Sequence, residues 1–262
     1  MVATVVGVAM ADSPCSVVEW EDRKYSSHSY SQPLPSACAQ GALFLDQEGR
    51  RFCLEAEPEE DQTSSITCDT FRNNLRLPTH VRPLHYDIRL DIFISTYSTR
   101  GEVDILFEVV ETTKQIVLHT NYENLRILDV NVTGLSGGLI PIAHQLQDED
   151  RELLILVLEE TVEAGEYLLG IAYEGIIFTR LQRGLFAAND RKLGTTAVTQ
   201  FTATHARKAF PCFDEPAFKA TFSITLGRSK EFQTVSNTAT MRNESREGGR
   251  FWDVFEVATI NY

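Results

Sequence analysis

Through the middle of the chain, apolar and polar residues alternate with a period of two. Leu84, Tyr86, Ile88, Leu90 and Ile92 are interleaved with His85, Asp87, Arg89 and Asp91, the pattern of a strand with one buried and one wet face. Val103, Ile105, Phe107 and Val109 alternate with acidic residues in the same way. Residues 116–119, 125–132 and 153–158 follow. The last is a nearly continuous apolar run suited to a central strand. Tyr167, Leu169, Ile171 and Tyr173 line another face, and Phe218, Ala220, Phe222, Ile224 and Leu226 one more. Residues 232–235 and 251–257 close the series.

Turn chemistry separates these runs: Ser136-Gly137-Gly138, Asp148-Glu149-Asp150, Glu163-Ala164-Gly165 and Glu247-Gly248-Gly249. No stretch of helical period exceeds a few turns, although residues 203–209 can form a turn or two of helix. Many strands at short intervals with hardly any helix predict an all-β fold. The expected form is an antiparallel β-sandwich of two packed sheets.

The first 75 residues break the pattern. Ser26 to Ser31 is low in complexity, Pro33 and Pro35 interrupt any helix, and residues 55–61 form an acidic run. This stretch holds 12 acidic and 5 basic residues, more than half of the net charge of −13 in under a third of the 262 residues. Residues 1–75 therefore read as an acidic, disordered, irregular tail, and residues 76–262 as the folded domain. Within the tail, residues 42–45 and 51–54 can pair as short strands. The overall negative charge argues against a nucleic-acid partner. The cysteines Cys15, Cys38, Cys53, Cys68 and Cys212 show no C-x2-C spacing, and Cys212 reads as a buried thiol. No run reaches the ~20 apolar residues of a membrane helix. Residues 2–11 are apolar but lack a basic flank, so they make a poor leader peptide. Asn131-Val132-Thr133 and Asn243-Glu244-Ser245 have the form of glycosylation acceptors.

One segment is composed for something other than a strand. It runs from Thr199-Gln200-Phe201-Thr202 through Ala206-Arg207-Lys208-Ala209-Phe210-Pro211-Cys212-Phe213-Asp214-Glu215-Pro216. Pro211 and Pro216 bracket an acidic pair, and Phe210, Cys212 and Phe213 supply apolar anchors. This segment resembles the signature of zinc aminopeptidases of the aminopeptidase N type. Ala217 to Phe222 continues the likeness, and Leu77-Pro78 with Arg82 to Ile88 resembles the start of that family's first domain. The resemblance covers roughly residues 76–250 and implies a saddle-shaped, all-β amino-terminal domain.

It also implies what the chain should lack. The family's zinc site needs a His-Glu-x-x-His helix and a distant glutamate. The six histidines here (His28, His80, His85, His119, His144 and His205) begin no such motif. The Gly-Ala-Met-Glu-Asn clamp for the substrate amine is absent too. No metal ligand or catalytic residue is expected in this chain, zinc belonging to the full-length family, and the chain alone should not cut peptides.

By resemblance, Gln200 faces the active site and lines the pocket for the substrate's first side chain. Thr202 stands where the family usually has a glutamate or glutamine that binds the free amine. A neutral hydroxyl cannot give the charge-assisted bond that an ammonium gains from a carboxylate. Arg207, Pro211, Asp214, Glu215 and Pro216 are read as structural, with Asp214 or Glu215 accepting from loop amides or from Arg207.

Residues 258–262 depart from the family's pattern, which reads as a domain truncated at its carboxy end. The expected packing partner is a catalytic domain, with peptides as substrates only in that context. A free-standing binding domain is the alternative. Kin include anchored, secreted and cytosolic forms, so a membrane-associated or extracellular location stands beside a cytoplasmic one.

Overall fold

The computed structural model describes residues 76–190 and 194–259, together with the backbone of four short strands before them. These four are β1 (Ser16–Val17), β2 (His28–Ser29), β3 (Ala42–Leu45) and β4 (Arg51–Leu54). β3 and β4 pair antiparallel, as their residues allow, and β2 joins β4. The rest of the expected tail lies outside the described residues.

The folded region opens with β5 (Val81–Phe93), β6 (Ser98–Val109), β7 (Thr113–His119) and β8 (Leu125–Gly134). Then come β9 (Leu139–Ile140), β10 (Ile142–Asp148), β11 (Leu153–Val162) and β12 (Gly165–Ile176). A hairpin follows, β13 (Gly184–Asp190) with β14 (Gly194–Gln200). Last are β15 (Thr221–Ser229), β16 (Thr240–Arg246), β17 (Arg250–Phe255) and β18 (Ala258–Thr259).

Among the described residues, the strands form a nine-stranded sheet in the order β16-β17-β15-β5-β6-β12-β8-β9, with β18 paired to β15. A four-stranded sheet runs β1-β10-β11-β7. Residues from both sheets share one hydrophobic core. Val103, Ile105 and Phe107 of β6 are fully buried, and so are Leu154, Leu156 and Leu158 of β11. The period-two face of β6 and the continuous run of β11 thus mark their burial on one and on both sides respectively.

Among the described residues, the strands pair antiparallel with one exception. β15 runs parallel to β5, with Thr221 opposite His85 and Gly227 opposite Asp91. Parallel neighbours need a long crossover, and here everything from β6 to β14 lies between the two strands. Ser136–Gly138 closes the β8–β9 turn, where Gly137 has φ +85°, a conformation open to glycine at little cost.

β9, β10, β13, β14 and β16 were not legible in the alternation. β10, β14 and β16 carry mostly small or polar residues, and every residue of β16 is exposed. Conversely, residues 232–235 form no strand. Val235 is 88% exposed and finds nothing to pack on, while the Thr234 hydroxyl is drawn to Asp253 Oδ2 at 2.5 Å. The segment expected to start at Phe218 enters the sheet only at Thr221. β17 ends at Phe255, and two residues later β18 continues along the same edge of β15.

Candidate functional site

The β13–β14 hairpin presents Gln200 at its last paired position, opposite Gly184. Gln200, Phe201 and Thr202 are all exposed, so this end of the hairpin forms a rim. Gly184 has φ +65°, and a Cβ there would lie 2.6 Å from the Lys208 Cβ. Only glycine lets the hairpin end sit this close to the segment that follows.

That segment is anchored at several points. Phe201 stacks edge-to-face on Phe210, which meets Tyr86 in the same manner. His205 N–H donates to the Phe201 carbonyl at 3.0 Å. Ala206–Lys208 makes a single 3-10 turn, shorter than the helix its small residues allow. Pro211, buried, ends any helical continuation. Cys212 and His119 exchange backbone hydrogen bonds of 2.8 and 3.0 Å, stitching the loop to the end of β7. The Tyr86 hydroxyl accepts from Phe213 N–H at 3.0 Å.

Charges complete the anchoring. Arg207, 7% exposed, lies with its Nε 3.0 Å from Asp214 Oδ2, while its Nη2 donates to the Asp214 carbonyl at 3.3 Å. On the other side, Nη1 meets Glu152 Oε2 at 3.1 Å, and Lys208 reaches Glu152 Oε1 at 3.5 Å. Glu215 turns away from this cluster: its Oε1 accepts from Leu77 N–H at 2.6 Å, with Arg76 at 3.5 Å from Oε2. Pro216 is exposed in the turn closed by Phe218 N–H on the Glu215 carbonyl.

The two carboxylates therefore have different partners, Asp214 taking the arginine and Glu215 the start of the domain. Glu152 escaped sequence reasoning altogether. It stands 55 residues from Arg207, and nothing local marks it beyond the turn it closes.

Burial pushes His119 down to about 3, with Arg207 adding to the effect. Its Nδ1 accepts from Asp214 N–H at 3.3 Å, so the ring works as a neutral acceptor. Burial, with Asp214 nearby, raises the Cys212 thiol well above its usual value, which makes it an inert core group. The arrangement offers the rim an amide and a hydroxyl, and behind them a rigid, internally paired support.

Comparison with known proteins places the domain. Residues 82–260 match the Peptidase M1 N-terminal domain. The chain belongs to the M1 peptidase family. It is 33% identical to the thyrotropin-releasing hormone-degrading ectoenzyme of Rattus norvegicus over 212 residues, 78% of this chain and 19% of that protein. It is 26% identical to endoplasmic reticulum aminopeptidase 1 of Mus musculus over 231 residues, 86% of this chain and 24% of that protein. With aminopeptidase M1-C of Oryza sativa subsp. japonica it shares 33% over 174 residues, 65% of this chain and 19% of that one. The chain thus spans about a fifth to a quarter of the length of these M1 relatives, and what it carries is their amino-terminal domain.

M1 aminopeptidases are zinc enzymes, and the side chains here do not fit that ion. Among the described residues no group of three or more His, Cys, Asp or Glu is disposed to hold a metal. The His85 ring nitrogens face Thr221 and Ser223 hydroxyls at 2.6 and 3.1 Å, and His80 Nε2 faces Thr113 at 3.1 Å. Among the described residues, no helix is long and apolar enough to cross a membrane.

Proposed function

We propose that this domain forms one wall of the substrate cleft in a zinc metallo-aminopeptidase whose metal and catalytic residues lie in another domain. The observation that carries the reading is the exposure of Gln200 and Thr202 at a hairpin end held firm from behind. Gln200 lines the pocket for the substrate's first side chain, and its amide can donate and accept there. Thr202 contributes a neutral hydroxyl beside the free amine, so this wall discriminates less for the ammonium than a carboxylate would. The apolar and charged groups around the rim pack against the catalytic domain, and peptides bind only in that assembled state. The names of the relatives, an ectoenzyme and an endoplasmic reticulum aminopeptidase, support an extracellular, lumenal or membrane-associated setting, in which Asn131 and Asn243 would accept glycans. Asn131 lies on an exposed position of β8, and Asn243 on the outer strand β16.

The test joins this chain to the remaining domains of an M1 relative and measures release of amino-terminal residues from aminoacyl amides. Gln200→Ala should raise KM about 3–10-fold, the loss of one ordinary hydrogen bond. Thr202→Glu should lower KM for free-amine substrates about ten-fold or more. If neither variant changes KM, the rim does not touch substrate. The chain without those domains should release nothing, with or without zinc.

A further inference from the structure

We propose that Glu152 is a positioning residue for the Gln200 rim, acting through Arg207 and Lys208; its bearing on catalysis rests on the reading of Gln200 given above. Glu152 lies in the turn between β10 and β11, on the four-stranded sheet, whereas the rim grows from a separate hairpin. Its φ is +58°, in the left-handed region where glycine is more comfortable than any residue with a Cβ. Its backbone is fixed there by Thr120 N–H on the Glu152 carbonyl at 2.8 Å and by Glu152 N–H on the Glu149 carbonyl at 3.3 Å. A strained position occupied by a side chain with three partners is a place to look for a role.

The three partners are Arg207, Lys208 and Asn121, whose Nδ2 donates to Glu152 Oε1. Asp214 also binds Arg207, but it stands seven residues away on the same loop, so that pair cannot fix the loop relative to the sheets. Glu152 can. The path onward is short. Lys208 packs against Gly184, and Gly184 is the strand partner of Gln200. The His119–Cys212 bridge holds the far end of the loop and Asn121 N–H holds the Arg207 carbonyl at 3.0 Å. Glu152 adds the grip on the side chains next to the rim.

Hydrogen exchange on the full chain tests this with four variants. Glu152→Ala and Glu152→Gly should speed exchange of amides 201–209 about ten-fold while β6 amides keep their protection. Glu152→Gln, which keeps an acceptor oxygen, should fall between these and the parent. Glu149→Gln, which removes an equal charge from the same turn, should change nothing. The glycine variant is decisive, because it relieves the backbone. Unchanged or slower rim exchange in Glu152→Gly overturns the proposal, as does a parallel loss of protection in rim and β6. In the joined enzyme, Glu152→Ala should raise KM more than it lowers kcat, as Gln200→Ala does. Faster rim exchange with Gln200→Ala inert would overturn the substrate reading of Gln200 and leave the positioning role of Glu152 standing.

Discussion

Leu156 in β11 and Arg207 behind the rim are hidden to nearly the same degree, 0% and 7% exposed, yet they are held by opposite means. Leu156 belongs to the hydrophobic core that residues of both sheets share and contributes through burial, a non-directional term that a similar side chain can replace. Arg207 is held by two carboxylates and a carbonyl at defined distances, and Lys208, the neighbouring cation, reaches Glu152 at 3.5 Å. Burial alone does not say what a residue does. The core supplies stability, and the ionic cluster supplies position.

The largest effect should come from breaking the cluster. Arg207→Ala takes the ion-pair partner from Asp214 and leaves Glu152 with Lys208 and Asn121 alone, which should cost about 3–5 kcal/mol. Urea unfolding reads the loss. A loss below ~1 kcal/mol would mean that water already reaches the pair. Leu156→Ala should cost about 3 kcal/mol through lost transfer energy and an unfilled cavity. The more telling difference is its location: the core variant should open β7, β10 and β11 together, while the arginine variant should free the rim first.

This contrast explains how much could be read from the sequence. Val103, Ile105, Phe107 and the run in β11 were legible because a buried sheet face imposes a period on its own residues. β14 and β16 were not, since Thr, Ala, Gln, Asn and Ser on an exposed strand leave no periodic trace. The parallel pairing of β15 with β5 is a matter of chain path, which local pattern does not record. At the rim, Arg207 and Asp214 could be matched because seven residues and a proline bend separate them. Glu152 could not, for its partner is remote and its strained backbone is invisible in the residue type. Gln200 and Thr202 became candidates only through the resemblance to a family.

Acid should separate the two regions further. His119 is neutral in the folded chain down to about 3, whereas in the unfolded chain it protonates near its ordinary value of about 6.5. The unfolded state therefore binds more protons in that window, and stability falls as the pH drops through it. The slope is at most about 1.4 kcal/mol per pH unit. His205 is lowered as well, by burial and by Arg183 and Lys208, and adds to the same slope. The quantity to measure is thus the difference between the parent and His119→Asn, whose Oδ1 can still accept the Asp214 amide. A flatter stability curve between pH 6.5 and 4.5 in the variant is expected. Identical curves would mean that His119 charges inside the fold. Asp253 acts lower on the scale: burial opposes its charge, but bonds from Arg228, Thr234 and Asn243 hold it below its usual value. Its contribution is lost only as the pH falls through that depressed value.

The smallest expected effect sharpens the distinction between charge and hydrogen bond. Glu215 accepts the Leu77 amide at 2.6 Å, while its ion pair is with Arg76, whose side chain is 74% exposed. A salt bridge with one partner in water contributes little, so the amide should matter more than the charge. Glu215→Gln keeps an acceptor oxygen and should cost under about 0.5 kcal/mol. Glu215→Ala leaves a nearly buried N–H without a partner and should cost about 1–3 kcal/mol. If the two variants lose equal stability, charge rather than the amide bond ties the start of the domain to the Pro211–Pro216 loop.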